Sequence, residues 1–208
     1  MKLTRYILTI VFPLLVFLFL AVNVLNDNIQ TFDANVYSIV SKIISERMTF
    51  FMKFISFLAS GQFLGIICIL VFLSIFSKKQ KYTFYAAMVI INISLSSIMN
   101  IGLKWLVNRN RPDILKLVEV TGLSFPSGHS MAAISFYGFL FYLCSKFYKG
   151  KYKNLIISFL VILIALIGFS RVYLGVHYSS DVLGGFSFGL FWIGVFTLVI
   201  EKVQEKHV

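Results

Sequence analysis

Three separated stretches of this chain carry polar residues able to do chemistry together: Lys104-WLVNRN-Arg111-Pro112, Pro126-Ser127-Gly128-His129 and Ser170-Arg171-VYLGV-His177-YSS-Asp181. Lys104, Arg111 and Arg171 supply cations around two histidines and one carboxylate. An arginine fork matches phosphate oxygens bidentately, so phosphate is the guest these residue types predict. Pro126 suits the turn before a helix, Ser127 is a good N-cap, and Gly128 lets the backbone come close. A helix starting there would aim free N–H groups and the positive end of its dipole at an anion. His177 and Asp181 are four apart, so if the last helix has begun by then they share a face and the carboxylate can orient the imidazole. An oriented neutral imidazole can attack phosphorus to give a phosphohistidine, while a protonated His129 gives its proton to the leaving alkoxide. The cations would neutralise the equatorial oxygens, and this scheme calls for neither cofactor nor metal. Zinc held by the histidines and aspartate is the competing arrangement, and the nearby cations would repel it. Arg109, Asp113, Lys116 and Glu119 are expected to be solvated loop charges, and His207 a tail residue.

Such a cluster needs elements to hold it, and the composition says which. The chain has 208 residues, 59% of them hydrophobic with 23 Phe, and a mean hydropathy of +0.89. That is more apolar surface than a soluble domain can hide. Runs of roughly 20 apolar residues recur, the length needed to cross a hydrocarbon core of about 30 Å as helix. Six transmembrane helices are expected, at about 6 to 25, 54 to 76, 82 to 106, 129 to 147, 153 to 171 and 181 to 200. The first is read as an uncleaved span, because Tyr6 to Val24 is a long apolar run with no small-residue cleavage site. Phe32 to Ile44 has apolar residues at helical spacing and reads as a short amphipathic helix in the membrane interface. The expected fold is therefore an all-α integral membrane protein, with residues 1–208 forming one membrane-embedded domain.

The net charge of +11 would suggest nucleic acid in a soluble domain. Here basic residues flank spans as a matter of course, so no nucleic-acid partner is expected, and no protein partner. Of the 19 basic residues, 11 fall at the termini, at Lys78 to Lys81, at Lys146 to Lys153 and after the last span. The other 8 fall on the opposite side, which makes both termini cytoplasmic and puts all three polar stretches at the outer face. Ionisable groups gathered near span ends are costly and imply function. Gly61 with Gly65, and Gly185 with Gly189, are spaced for close helix contacts. Cys68 and Cys144 lie in apolar runs and act as small hydrophobes.

The three stretches together resemble the type 2 phosphatidic acid phosphatases, or lipid phosphate phosphatases. The motifs of that family, K-x6-R-P, P-S-G-H and S-R-x5-H-x3-D, are matched here as Lys104 to Pro112, Pro126 to His129 and Ser170 to Asp181. The resemblance implies a six-helix membrane core with the site at the outer face, and metal-independent hydrolysis. It implies His177 as nucleophile, Asp181 as its partner and His129 as proton donor. It implies Lys104, Arg111, Ser127, Gly128 and Arg171 as phosphate ligands. The family shares its site with soluble vanadium haloperoxidases, but the spans of this chain point to a lipid substrate. A chain with few additions is similar to the bacterial phosphatidylglycerophosphatase B group, implying phosphatidylglycerophosphate as substrate. Undecaprenyl diphosphate, or a broader set of lipid phosphates, is the alternative.

Overall fold

The computed structural model describes residues 4, 6–75 and 80–205. Lys2, Arg5, Lys78, Lys79, Lys206 and His207 lie outside the described residues. Helix α1 is Ile7–Leu25, opening with a π-helical turn, followed by α2, Gln30–Val40, and α3, Glu46–Phe57. Next come α4, Gly61–Ile75, and α5, Gln80–Val107. The chain continues through α6, Gly128–Phe147, α7, Lys153–Tyr173, and α8, Ser179–Glu205. Among the described residues five of these are long and apolar enough to span a membrane, and α3 with α4 pass the same test only as a bent pair, a broken span or a re-entrant loop. Only helices satisfy the backbone at such lengths in lipid, which is why so apolar a chain folds this way.

The expected second span, 54 to 76, departs from the structure. It starts earlier, at Glu46, and is broken, with α3 and α4 meeting at 41°. Leu58 and Ala59 donate to carbonyls three residues back, which tightens the end of α3. Ser60 then caps α4, its Oγ accepting from Phe63 N at 3.1 Å, while the Leu58 carbonyl freed at the break accepts from Tyr137 Oη at 2.8 Å. Polar groups from the break itself and from α6 thus satisfy a backbone that the apolar pattern alone could not foresee breaking.

Helix α6 occupies the centre and packs on α5, α7 and α8. The α6–α8 contact rests on glycine. A Cβ at Gly185 would lie 2.6 Å from Ser127 O and 2.8 Å from Ser130 Cβ, and one at Gly189 would lie 2.8 Å from Ile134 Cβ. That pair of glycines behaves as its spacing predicts. Gly61 and Gly65 do not, since a Cβ at either would meet no heavy atom within 4 Å among the described residues.

Helix α2 appears where the amphipathic stretch was expected. It also buries Asp33 and Val40, so it is fastened to the bundle. The segment between α5 and α6 runs over the end of the bundle, tied by Ser124 N to Arg109 O (2.8 Å), Leu117 N to Leu174 O (3.0 Å) and Ser127 N to Asp181 O (2.9 Å). Gly175, with φ +71, brings the α7–α8 turn so close to the Leu115 carbonyl that a side chain would collide with it.

Gly185→Ala is expected to destabilise by about 1–3 kcal/mol, because the obstructing atom is backbone. Gly65→Ala should stabilise by about 0.5–1 kcal/mol, removing an interior helical glycine in open space. Thermal melting of the two variants in one detergent checks both signs.

Candidate active site

The site forms where α5 ends, α6 begins and the α7–α8 turn passes between them. Lys104 occupies the last turn of α5, its Nζ donating to the carbonyls of Leu123 (2.5 Å) and Ser124 (3.1 Å). Arg111 lies in the following segment. Its Nε donates to Gly122 O at 2.9 Å and its Nη1 to Val176 O at 2.8 Å, while Nη1 faces His177 Nε2 at 3.1 Å. At the start of α6, Ser127 is the N-cap. Its Oγ accepts from Ser130 N (3.4 Å) and Ser130 Oγ (3.0 Å), which leaves its own proton for an outside acceptor. The N–H groups of Gly128 and His129 are the first of α6 and have no intrahelical acceptor. The His129 ring lies within electrostatic range of Arg171, His177, Arg111 and Lys104.

Arg171, in the last turn of α7, is buried. Its Nη1 donates to Ser56 Oγ on α3, so the broken span helps to aim this cation. Its Nε is buried with no acceptor among the described residues. Leaving such a donor unsatisfied costs about 1–3 kcal/mol or more, a cost that an anionic oxygen would remove.

The His177–Asp181 pairing differs from a shared helix face. His177 precedes α8, and Asp181 in the first turn reaches back, its Oδ2 accepting from Tyr178 N at 2.9 Å. This is the reciprocal half of a capping arrangement, favoured by the positive end of the helix dipole. Asp181 Oδ2 also lies 3.4 Å from His177 Nδ1. Ser124, which no motif singled out, completes the contact: its Oγ donates to Asp181 Oδ2 at 2.5 Å and lies 3.3 Å from His177 Nδ1. Arginine can only donate, so Nε2 facing Arg111 carries the lone pair and Nδ1 the proton. Burial, opposed by Asp181 and reinforced by Arg171 and Arg111, takes the His177 imidazole down to about 3. The ring is therefore neutral at ordinary pH, with its Nε2 lone pair available.

Arg109 corrects an expectation. It is no solvated loop charge: its side chain is 13% exposed, with Nη1 donating to Asp181 Oδ1 at 2.7 Å and to Ser180 Oγ at 2.8 Å. Its Nη2 donates to Asp33 Oδ2 at 2.8 Å, and the guanidinium lies 4.0 Å from the Tyr178 ring centroid. Burial works against this charge, but Asp181 and Asp33 outweigh it and hold the guanidinium above its ordinary value. Arg111 is lowered by burial, with Asp181 opposing. Asp113, Lys116 and Glu119 are exposed, as expected. The apolar spans thus bring all eight candidate site residues to one end of the bundle and add Asp33, Ser56, Arg109 and Ser124.

The depressed His177 value has a consequence for stability. The unfolded imidazole, near 6.5, binds a proton that the folded one refuses, so stability holds above about pH 6.5 and falls as pH drops toward 3. Between pH 6.5 and 5 the loss from this group is about 2 kcal/mol. His177→Gln should therefore lose less melting temperature than the unsubstituted protein over that interval, and equal losses would contradict the assignment.

The geometry agrees with what comparison finds. The PAP2 superfamily matches residues 81–205. Phosphatidylglycerophosphatase B of Bacillus subtilis is 31% identical over 92% of this chain and 96% of its own length. The lipid phosphate phosphatase delta of Arabidopsis thaliana is 31% identical over 38% of this chain and 20% of its own length. A crystal structure of a transmembrane PAP2-type phosphatidylglycerolphosphate phosphatase of Bacillus subtilis superposes with a TM-score of 0.83 at 29% identity, over 93% of this chain and 96% of that one. The crystal structure of Aquifex aeolicus LpxE gives 0.63 at 25% identity, over 79% and 93%. A polytopic helical bundle with all three phosphate-handling motifs at one end, matched over most of its length, belongs to the PAP2 superfamily.

Proposed function

We propose that this protein hydrolyses phosphatidylglycerophosphate to phosphatidylglycerol and inorganic phosphate, without a metal and through a phosphohistidine on His177. The observation that carries this reading is the setting of that imidazole. Its Nδ1 side is occupied by Ser124 and Asp181, and its Nε2 lone pair is turned toward Arg111. Simple phosphate binding needs no such oriented nucleophile. The relative matched over 92% of this chain, named for phosphatidylglycerophosphate, supports the choice of lipid.

The headgroup phosphate would lie among Lys104, Arg111 and Arg171, with the first N–H groups of α6 and the Ser127 hydroxyl on its oxygens. Arg111 turns from Nε2 onto the phosphate as the substrate enters. Nε2 then bonds to phosphorus, the bond to the glycerol oxygen breaks, and His129, which takes up a proton from solvent as the phosphate dianion settles beside it, gives that proton to the leaving oxygen. Asp181 balances the positive charge growing on the ring. A water molecule next attacks phosphorus and gives its proton to His129. The N–P bond breaks, phosphate leaves and His177 is restored. Fixed cations and N–H groups aimed at the equatorial oxygens lower the barrier in both halves.

Counting α3 with α4 as one span gives six, and with the basic residues concentrated on the terminal side this favours cytoplasmic termini and a site at the outer face of a bacterial cell membrane. The groups proposed to bind phosphate come from the end turns of spans and the segments that join them, an arrangement in which the lipid tails would stay in the bilayer while the headgroup reacts.

Phosphate release by purified protein in detergent is the test. Phosphatidylglycerophosphate should be preferred over undecaprenyl diphosphate at equal surface concentration, and the reverse preference would transfer the protein to carrier-lipid recycling. His177→Ala should abolish turnover, and His129→Ala should lower kcat by about 10²–10⁴-fold. Full turnover by His177→Ala would remove the nucleophile assignment and return the site to simple anion binding. Vanadate should inhibit, while a chelator should have no effect. Loss with chelator that one divalent metal restores would instead establish a metal centre.

A further inference from the structure

Asp33 and Arg109 lie outside the eight residues given roles above, yet they form an enclosed ion pair directly behind Asp181. Asp33 is on α2, and its side chain is 1% exposed. Its Oδ1 accepts from Ser180 N (2.8 Å) and its Oδ2 from Ser180 Oγ (2.6 Å). Arg109 spreads its fork between Asp33 Oδ2 and Asp181 Oδ1. The pairing joins residues 76 apart in sequence. Two carboxylates thus share one guanidinium at the N-terminus of α8, and only one of them touches His177.

We propose that Arg109 and Asp33 are positioning residues for the reaction, forming an outer relay that fixes the Asp181 carboxylate against His177 and sets how much of its charge the imidazole feels. This rests on His177 being the nucleophile. Asp181 uses Oδ2 for Ser124, Tyr178 N and His177, and Oδ1 for Arg109, so the guanidinium pins the rotation of the carboxylate. Arg109 also withdraws negative charge from Asp181, and Asp33 offsets part of that withdrawal by claiming the other nitrogen. Neither residue is among the groups proposed to meet the phosphate, so their removal should act on the chemical step. The interfacial helix α2 then has a task beyond lying on the bilayer: it carries the outer carboxylate.

The charged and titratable groups around His177 are Asp181 from α8, Arg171 from α7, Arg111 from the α5–α6 segment, and His129 from α6. Behind Asp181 are Arg109 and Tyr178, and behind Arg109 is Asp33 from α2. Lys104 from α5 also acts on Asp181. Removing Arg109 alone frees the full negative charge of both aspartates toward the imidazole, so the acid limb of kcat/KM rises toward the ordinary histidine range. Removing the Asp33 charge gives all of Arg109 to Asp181, so that limb does not rise.

The experiment compares Asp33→Asn, Arg109→Lys and Arg109→Gln with the unsubstituted protein and His177→Ala, using phosphatidylglycerophosphate in detergent micelles. Asp33→Asn and Arg109→Lys should lower kcat by roughly 10²-fold, the scale for misplacing a reacting group by about 1 Å, with KM within about twofold. Arg109→Gln should raise the acid limb, and Arg109→Lys, which keeps the charge, should leave it where it is. Wild-type kcat in Asp33→Asn, or an acid limb that moves equally in both Arg109 variants, overturns the inference even if His177→Ala is dead. Turnover by His177→Ala would instead overturn the nucleophile reading beneath it. Monodisperse elution qualifies each variant; if Asp33→Asn does not fold, the kcat and pH limb of Arg109→Lys decide the matter.

Discussion

The carboxylate of Asp181 is fully enclosed at the end of a membrane bundle, and that single buried charge constrains everything around it. A buried ion is tolerated only when its lone pairs are met by donors with good geometry. Asp181 meets Ser124, Tyr178 N, His177 and Arg109, and its backbone carbonyl accepts from Ser127 N. These partners come from the α5–α6 segment, the α7–α8 turn and the entrance of α6. Satisfying one carboxylate therefore registers all three motifs on one another, and the catalytic geometry follows from the requirement for burial.

The same economy governs the helix ends. Asp181 and Asp33 accept from the N–H groups of Tyr178 and Ser180 at the entrance of α8, where the dipole favours negative charge. The start of α6 differs, with a neutral serine as N-cap and no acidic residue in its first turn. One helix entrance is filled by the protein's own carboxylates, and the neighbouring one is the entrance that the proposed function gives to substrate. Gly185 allows the two to approach so closely, since any side chain there would meet the Ser127 carbonyl.

Placing cations near lipid needs support from outside the motifs, and the bundle supplies it at its irregular points. The break between α3 and α4 follows directly after Ser56, which holds Arg171. The turn at Gly175 docks on the segment that carries Arg111, whose guanidinium bonds the Val176 carbonyl. Regular spans provide the wall, and the short departures from regularity set the angles of the side chains.

Much of this was legible in one dimension. Apolar runs determined helices that cross a bilayer, because lipid leaves the backbone no other way to satisfy itself. Spacing within each motif picked out the residues that gather at the site, because local sequence fixes which groups share a turn or a helix entrance. The tertiary structure alone decided that Arg109 is an inner ion-pair residue and not a loop charge, and that Asp33, Ser56 and Ser124 belong to the site. Their contacts cross between elements far apart in sequence, and a solitary Asp on an amphipathic helix or Ser in an apolar run looks the same whether it faces water or a guanidinium. The break in the second span was hidden for the same reason: the hydroxyl that satisfies its carbonyl belongs to Tyr137, 79 residues away. Sequence determines which groups are available and what each can do; only packing determines which partner each buried charge finds.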